Sequence, residues 1–273
     1  MLFFIIFIVV LIIIVFVSNL SNLLFPCSKT DYIIYSGADD SLYKSNLTHY
    51  LNFVISAYND VCNYPRYSAG ENQVIQVSSS VKALWFEIVS QCGLVYIFDT
   101  YIVIAFRGTH FRADEFVDSQ FRYYNYPGTT FNVHHGFHRY LSSCRTQILN
   151  IISQNSSKDI YITGHSLGAG VATLLAYELY TRYSNNKIHL YLYGCPRCVN
   201  KDLSIFMKNN LTEIVSVVNY FDLVPEAPER LGKYVSFTPI YIFGIQTYSD
   251  TGNHSIQVYS KGINYIEPLS VLN

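Results

Sequence analysis

The chain has 273 residues and a formal net charge of −1, with 50% hydrophobic and 14% charged residues. This length provides for one large domain with an extensive core, or for two small ones. A nearly neutral chain without a basic stripe excludes nucleic acid as the partner.

The N-terminus is a targeting segment. Residues 2–17 are uninterruptedly apolar, and no charged side chain occurs before Lys29. The run is short for a spanning helix and long for the core of a signal peptide. We therefore predict a signal peptide or signal anchor over 1–20, a connecting segment over 21–45 and a folded domain over 46–273. The body is then secreted, or anchored in the membrane through residues 2–17 with its folded domain on the extracytoplasmic side.

Cysteines and sequons agree with export. The six cysteines are even in number, as a disulfide framework requires: Cys27, Cys62, Cys92, Cys144, Cys195 and Cys198. The last two, separated by Pro196-Arg197, are predicted to form a structural disulfide or two buried thiols and not a redox pair. Sequons predict a glycoprotein and begin at Asn46, Asn155, Asn210 and Asn253.

The body alternates helices and strands. Helical periodicity runs over residues 47–58, and strands follow over 93–98 and 101–106, the second apolar enough to be buried on both faces. Further elements are predicted as a helix over 138–154, a strand over 187–193, a helix over 203–208, a strand over 214–218, a hairpin over 234–243 and an apolar-periodic segment over 256–259. This order predicts a single α/β domain without internal repeats.

A G-x-S-x-G motif stands between the helix predicted over 138–154 and the strand predicted over 187–193, at Gly164-His165-Ser166-Leu167-Gly168. It follows a β-branched run and precedes a helix of small residues, which is the setting of a nucleophile elbow. So sharp a turn strains the central residue and requires small neighbours. Ser166 would stand at the edge of the sheet above a helix N-terminus, and His165 would pack beneath the turn. The alternative is a small-residue turn with an incidental serine.

Four blocks together resemble the class 3 lipases, the fungal-type triacylglycerol lipases. They are Ala105-Phe106-Arg107-Gly108-Thr109, Val133-His134-His135-Gly136-Phe137, Gly164-His165-Ser166-Leu167-Gly168-Ala169, and residues 218–225 with Asn219 and Asp222-Leu223-Val224-Pro225. The resemblance covers roughly residues 47–259. It implies an α/β-hydrolase fold with a mixed, mostly parallel sheet flanked by helices, here preceded by the N-terminal hydrophobic targeting helix. It also implies packing or hydrogen-bonding roles for His134 and His135.

A catalytic triad can be completed from the residues. A serine hydroxyl needs an imidazole to take its proton, and the imidazole needs a carboxylate to fix its tautomer. In this fold the acid and the histidine follow the nucleophile in that order. Asp222 comes directly after a buried strand, and His254 is the one histidine after it. The simpler interpretations are a capping aspartate before Pro225 and a surface-loop histidine.

The resemblance also implies an oxyanion hole and a lid. The Leu167 N–H, directly after the nucleophile, is one donor, and Thr109 is the second by resemblance. Residues 110–121 occupy the place of the family's lid, with Phe111, Phe116 and Val117 on its inner face; a plain surface helix would have the same pattern.

These inferences predict a serine ester hydrolase that cleaves fatty acyl esters of acylglycerols through an acyl-enzyme. The partner is a lipid substrate at a membrane or droplet interface. No metal or organic cofactor is predicted, because no ligand cluster appears. Phospholipase A1 and short-chain carboxylesterase are alternatives within the enzyme class. A catalytically silent lipid-binding protein is the alternative outside it.

Overall fold

The computed structural model describes residues 32–35, 41–58, 67–83, 86–108, 123–228, 234–237 and 241–268. Its helices are α1 (Ser41–Ala57), α2 (His135–Ser153), α3 (Leu167–Arg182), α4 (Lys201–Asn210), α5 (Asp250–Asn253) and α6 (Ile256–Gly262), with 3₁₀ turns at Val224–Glu226 and Ile263–Tyr265. Its strands are β1 (Tyr32–Tyr35), β2 (Gln73–Ala83), β3 (Phe86–Ile97), β4 (Tyr101–Phe106), β5 (Tyr123–Asn125), β6 (Asn132–His134), β7 (Asp159–His165), β8 (Ile188–Tyr193), β9 (Glu213–Asn219), β10 (Tyr241–Thr247) and β11 (Glu267–Pro268). The predicted targeting segment over 2–17 lies outside the described residues.

A mixed sheet organises the described residues, in the order β1-β10-β9-β8-β7-β4-β3-β2, with β11 also on β10. The central pairs from β4 through β7, β8 and β9 to β10 are parallel. The pairs at both ends are antiparallel. Because parallel neighbours point the same way, the residues that follow β4, β7, β8, β9 and β10 all emerge at one edge. We call this the carboxyl edge, and the opposite one the amino edge.

The sheet separates two cores. Successive β4 residues alternate between them, with Ile102 and Ile104 on one side and Val103 and Ala105 on the other. Helices α2 and α3 cover the first side, and α1 and α6 cover the second. All four of these β4 side chains are fully buried. The predicted burial of this strand on both faces is therefore confirmed.

The two helices over the first core differ in how much of their surface is buried. In α2 the buried positions recur at helical spacing, as in Phe137, Leu141, Cys144 and Ile148, so one face of the helix meets the sheet. In α3 every residue from Leu167 to Leu179 is buried. Its first turns carry Gly and Ala, which let the helix approach the sheet closely.

The structure corrects the predicted elements in two regions. The hairpin predicted over 234–243 is wrong. Val235 makes an isolated bridge to Val199, whereas β10 pairs with β9, β1 and β11. No strand is predicted between the helix over 47–58 and the strand over 93–98, yet β2 forms over Gln73–Ala83. It can do so because it lies at the end of the sheet and pairs only with β3 in the described residues.

The four cysteines in the described ranges are buried free thiols: Cys92, Cys144, Cys195 and Cys198. Of the two states predicted for the last pair, the structure therefore has the buried thiols. Burial raises the pKa of the Cys195 thiol well above its usual value, and the neighbouring Cys198 adds to this effect. Cys27 and Cys62 lie outside the described residues. Within the described ranges, no helix combines the length and apolar character needed to cross a membrane.

Candidate active site

The elbow motif forms a strand, a sharp turn and a helix. Strand β7 ends at His165, and α3 begins at Leu167. Between them Ser166 has φ 59° and ψ −128°, and it is the one non-glycine residue with a positive φ among those described. A side chain adopts this conformation only when its surroundings enforce it. The Ser166 N–H donates to the Tyr193 carbonyl of β8, and the Ser166 carbonyl accepts from Ala169 N–H.

The glycines on either side of the turn make this geometry possible. A Cβ on Gly164 would lie 2.4 Å from the Gly168 carbonyl oxygen. A Cβ on Gly168 would lie 2.5 Å from the carbonyl oxygens of Phe106 and Arg107. The motif therefore needs glycine at both positions because the chain crosses itself and β4 at contact distance. The result is a half-buried Ser166 at the carboxyl edge.

Asp222 and His254 meet at the same edge. Asp222 follows β9, and His254 follows the short helix α5 after β10. His254 Nδ1 is 2.6 Å from Asp222 Oδ2. The Asp222 side chain is fully buried and that of His254 is 13% exposed. A buried carboxylate requires partners, and here it fixes the orientation of the imidazole.

The other ring nitrogen of His254 faces the opposite way. His254 Nε2 is buried and has no hydrogen-bond partner among the described residues. Ser166 is therefore not hydrogen-bonded to His254 in this structure. Catalytic hydrogen bonds are often long or absent without substrate and tighten in the complex. The arrangement leaves Nε2 without a partner, on a ring that stacks against the elbow residue His165.

His165 packs beneath the turn. Its ring stacks on that of His254, with centroids 4.8 Å apart and planes at 26°. Burial and the neighbouring His254 hold the pKa of His165 well below its usual value, so His165 is neutral near pH 7. His165 Nδ1 is 2.8 Å from Tyr58 Oη, which also accepts a 2.8 Å hydrogen bond from Gly108 N–H. Tyr58, just past α1, thus joins the elbow to the residue that precedes Thr109.

The predicted oxyanion donors are only partly described. Leu167 is the first residue of α3, where backbone N–H groups lack partners inside the helix and the helix dipole is positive. Thr109 and the candidate lid residues Phe111, Phe116 and Val117 lie outside the described residues. Arg107 is buried and donates through Nε to the Gln91 carbonyl and through Nη1 to the Gly108 carbonyl. These contacts hold the chain at the end of β4 against β3.

The second family block also lies near this edge. His134 ends β6, is buried, and its N–H donates to the Cys198 carbonyl. Burial lowers the pKa of His134 to about 4, with a smaller contribution from His135. His134 is therefore neutral near pH 7. Its ring packs at 4.5 Å from Phe137 and 5.6 Å from Tyr234.

Sequence reasoning gave no role to two residues at the site. Tyr259 donates a hydrogen bond to Asp222 Oδ2 at 2.6 Å. At the end of β9, the Asn219 side chain accepts the Ile245 N–H and donates to the Asn253 carbonyl. Tyr259 is one of 25 tyrosines in the chain. Its position five residues beyond His254 carries no motif, so only its placement in space distinguishes it.

Residues 103–231 match the model of one protein family, lipase (class 3). The chain is 27% identical over 118 residues to the secreted mono- and diacylglycerol lipase LIP1 of Malassezia globosa, covering 41% of this chain and 39% of that protein. It is 28% identical over 96 residues to the chloroplastic phospholipase A(1) DAD1 of Arabidopsis thaliana, covering 34% and 22%. The chain thus spans less than half the length of these curated relatives.

A solved structure shares the fold. The Rhizomucor miehei triacylglyceride lipase superposes with a TM-score of 0.57 at 20% identity, over 75% of this chain and 80% of that one. At this identity the likeness concerns the fold alone. The predicted α/β-hydrolase fold is confirmed.

Proposed function

This chain belongs to the class 3 lipase family, and we propose from this premise that it is a serine ester hydrolase acting on fatty acyl esters of acylglycerols. Its catalytic residues are Ser166, His254 and Asp222 within the domain over 46–273. The observation that carries the proposal is the 2.6 Å hydrogen bond between His254 and Asp222 at the edge where the strained Ser166 stands. An imidazole held by a buried carboxylate, at the same sheet edge as a half-buried serine alcohol, is suited to acyl transfer.

Acylation begins with attack of Ser166 Oγ on the ester carbonyl carbon, while its proton passes to His254 Nε2. Asp222 stabilises the imidazolium that forms, through the Nδ1 hydrogen bond. The carbonyl oxygen becomes an oxyanion, and the Leu167 N–H at the start of α3 stabilises it, with Thr109 as the proposed second donor. The tetrahedral intermediate then expels the glycerol oxygen, which takes the proton from His254. Ser166 is left as an acyl ester.

Deacylation reverses these roles with water as the nucleophile. His254 Nε2 takes a proton from water, and the hydroxide attacks the acyl carbon. The second tetrahedral intermediate collapses with release of the fatty acid, and the proton on His254 returns to Ser166 Oγ. His165 does not compete for protons, because its lowered pKa keeps it neutral.

Phospholipase A1 activity is the second candidate, because one of the relatives is a phospholipase A(1). Both activities cleave a carboxylic ester on a glycerol backbone and use the same catalytic residues. They differ in the surface that accepts the rest of the lipid. The proposal favours acylglycerols because the Malassezia relative is a mono- and diacylglycerol lipase. A short-chain carboxylesterase is the third arm of the test below.

We further propose that the protein is exported and meets its substrate at a lipid surface. The targeting segment over 2–17 and the secreted Malassezia relative support export. Residues 110–121 are the proposed lid, with Phe111, Phe116 and Val117 against the cleft. N-terminal sequencing of the exported protein distinguishes a cleaved signal peptide from an uncleaved anchor.

The test measures hydrolysis of triolein, tributyrin and phosphatidylcholine by the full chain and by its Ser166→Ala variant. The proposal expects triolein hydrolysis that falls by about a million-fold without Ser166. Dominant release of fatty acid from phosphatidylcholine would instead support the phospholipase. Activity confined to tributyrin would support the short-chain esterase.

Labelling with a fluorophosphonate probe separates the enzyme from a catalytically silent lipid-binding protein. The enzyme should react only while Ser166 is present, since the probe forms a bond to an activated serine. The Ser143→Ala variant is the matched control, because the Ser143 hydroxyl donates to the Tyr140 carbonyl on α2 away from the elbow. Equal labelling of wild type and Ser166→Ala would end the proposal.

A further inference from the structure

The carboxylate of Asp222 receives three hydrogen bonds. Oδ1 accepts from Val224 N–H at 2.9 Å. Oδ2 accepts from His254 Nδ1 and from Tyr259 Oη, both at 2.6 Å. The imidazole and the phenol therefore share one oxygen, so whatever changes one of these two hydrogen bonds changes the other.

Tyr259 is held in place by a backbone hydrogen bond and by the space that a glycine leaves. It is fully buried on α6, and its Oη accepts the Asn219 N–H at 3.2 Å. Having accepted there, the hydroxyl has its single proton free for Asp222. Gly194 has φ +57°, and a Cβ on it would lie 2.8 Å from Tyr259 Oη and 3.1 Å from Asp222 Oδ2. The absence of a side chain at Gly194 leaves the room in which this hydrogen bond forms.

Asn219 ties the same group to the loop of the base. Its side-chain amide donates to the carbonyl oxygens of Ile245 and Asn253, and its Oδ1 accepts the Ile245 N–H. Asn253 directly precedes His254. The backbone of Asn219 orients Tyr259, and its side chain fixes the start of the His254 loop. One fully buried residue thus holds both partners of the Asp222 carboxylate.

We propose that Tyr259 is a positioning residue of the reaction, which holds the Asp222 carboxylate and sets how strongly that carboxylate binds the His254 proton. This inference rests on the proposed function and deepens it. A donor to Oδ2 withdraws negative charge from the oxygen that faces the imidazolium. Without the phenol proton, Asp222 holds the imidazolium more strongly, and His254 becomes a base only at higher pH.

The titratable groups that face this pair come from three elements. His165 on β7 stacks on His254, Tyr259 on α6 bonds Asp222, and Cys195 after β8 lies near Tyr259. Burial keeps His165 neutral and the Cys195 thiol protonated near pH 7. Neither therefore changes charge in the range where the base titrates. The hydrogen bond that Tyr259 donates to Asp222 is therefore the contact whose removal should alter the basicity of His254.

The experiment compares the pH profile of kcat/KM for the full chain and for Tyr259→Phe. We expect the acidic limb of the profile to move to higher pH by about 0.7 unit, the equivalent of one lost hydrogen bond of about 1 kcal/mol. Because the carboxylate also loses a contact that holds it in place, kcat should fall by about fivefold. A purely structural role would lower the melting temperature and leave the limb where it is.

Tyr191→Phe is the matched control. Tyr191 is a buried tyrosine whose Oη donates to a carboxylate oxygen, Glu213 Oε2, at 2.7 Å at the amino edge. This variant loses the same kind of hydrogen bond, so its profile should coincide with that of wild type. A limb that stays in place in Tyr259→Phe, or moves equally in both variants, would overturn the proposal.

A second substitution keeps the test sharp if Tyr259→Phe folds poorly. 3-Fluorotyrosine introduced at position 259 retains the hydroxyl and makes it a stronger donor. The limb should then move to lower pH, opposite to the phenylalanine variant. A shift to higher pH, or none, contradicts the assignment.

Nuclear magnetic resonance separates this inference from the proposed activity. The titration of the His254 ring, assigned by comparison with His254→Gln, is measured without substrate. Its midpoint should rise in Tyr259→Phe and not in Tyr191→Phe. If wild type hydrolyses no ester, the proposed function fails, whereas the ring titration still supports or overturns the role of Tyr259.

Discussion

The two ends of strand β9 carry the same three kinds of side chain. At the carboxyl edge Asp222 binds His254 and Tyr259, each at 2.6 Å. At the amino edge Glu213 Oε2 lies 3.4 Å from His189 Nδ1 and 2.7 Å from Tyr191 Oη. Each end therefore has a carboxylate that bridges a histidine and a tyrosine.

Burial and surroundings distinguish the two ends. The Asp222 side chain is fully buried, whereas that of Glu213 is 38% exposed. His254 lies against the elbow histidine, while His189 stacks on Tyr161 at 4.3 Å. The strained Ser166 and the N-terminus of α3 lie at the carboxyl edge. The carboxylate, histidine and tyrosine are thus common to both ends, and the proposed nucleophile stands at the carboxyl edge.

The largest expected difference follows from neutralising each carboxylate. Asp222→Asn should lower kcat by about 10³- to 10⁴-fold, because the imidazole loses the partner that fixes its tautomer. Glu213→Gln, its counterpart at the amino edge, should change kcat by less than about twofold, consistent with a surface substitution. Steady-state kinetics on triolein emulsions measures both. Similar losses in the two variants would mean that Asp222 acts only through stability.

A second tyrosine at the carboxyl edge, Tyr58, is bonded to the elbow histidine. Tyr58→Phe removes the hydroxyl that joins His165 to Gly108, so the chain leading from β4 to the proposed oxyanion donor Thr109 is no longer tied to the elbow. We expect kcat to fall about tenfold with KM nearly unchanged, as for an interaction that matters in the transition state. Tyr126→Phe, which loses a hydrogen bond to Glu178, is the control and should keep wild-type kcat. A loss confined to KM would contradict this role.

The amino-edge carboxylate should affect stability at acidic pH. The hydrogen bond from His189, the largest cause, and that from Tyr191 lower the pKa of Glu213 from its ordinary 4.5, against the raising effect of burial. The lowered pKa in the folded state means that its contribution is present above about pH 4.5 and is lost as pH falls through the folded pKa.

Solvent screening limits this contribution to less than about 1 kcal/mol. Urea unfolding at about pH 6 and about pH 3.5 should therefore show a slightly larger acid loss for wild type than for Glu213→Gln. An equal loss in the two proteins would exclude a stabilising Glu213 pair.

The last prediction is that the sequon at Asn253 carries no glycan. Asn253 begins a sequon, but the residue is 5% exposed and its Oδ1 accepts the Thr247 N–H at 2.6 Å. We expect peptide mapping of protein from a eukaryotic secretory host to find no sugar on Asn253, whereas the exposed Asn46 and Asn210 are accessible. A glycan on Asn253 would count against His254 as the base, because it would obstruct the site.

The core and the elbow could be predicted from local patterns. Alternating burial along β4, helical spacing in α2 and the strand–helix transition at Ser166 each depend on residues a few positions apart. Most strands and helices predicted around them were therefore found with ends shifted by at most three residues, whereas β3 begins at Phe86 and α1 at Ser41, well before the predicted 93 and 47. The prediction of a hairpin over 234–243 was wrong because β10 pairs with β9. A hydrophobic pattern does not reveal which strands become neighbours. Strands β1, β2 and β11 depend on neighbours in the same way.

The sequence by itself determined that this chain forms an α/β sheet with a glycine-flanked serine turn, because local sterics and periodicity decide both. Only the tertiary structure decided which side chains surround Asp222. Its partners His254 and Tyr259 lie 32 and 37 residues away, and Tyr58 reaches His165 over 107 residues. Hydrogen bonds below 3 Å at such separations require the relative positions of β9, β10, α1 and α6, which the packing of the whole sheet sets.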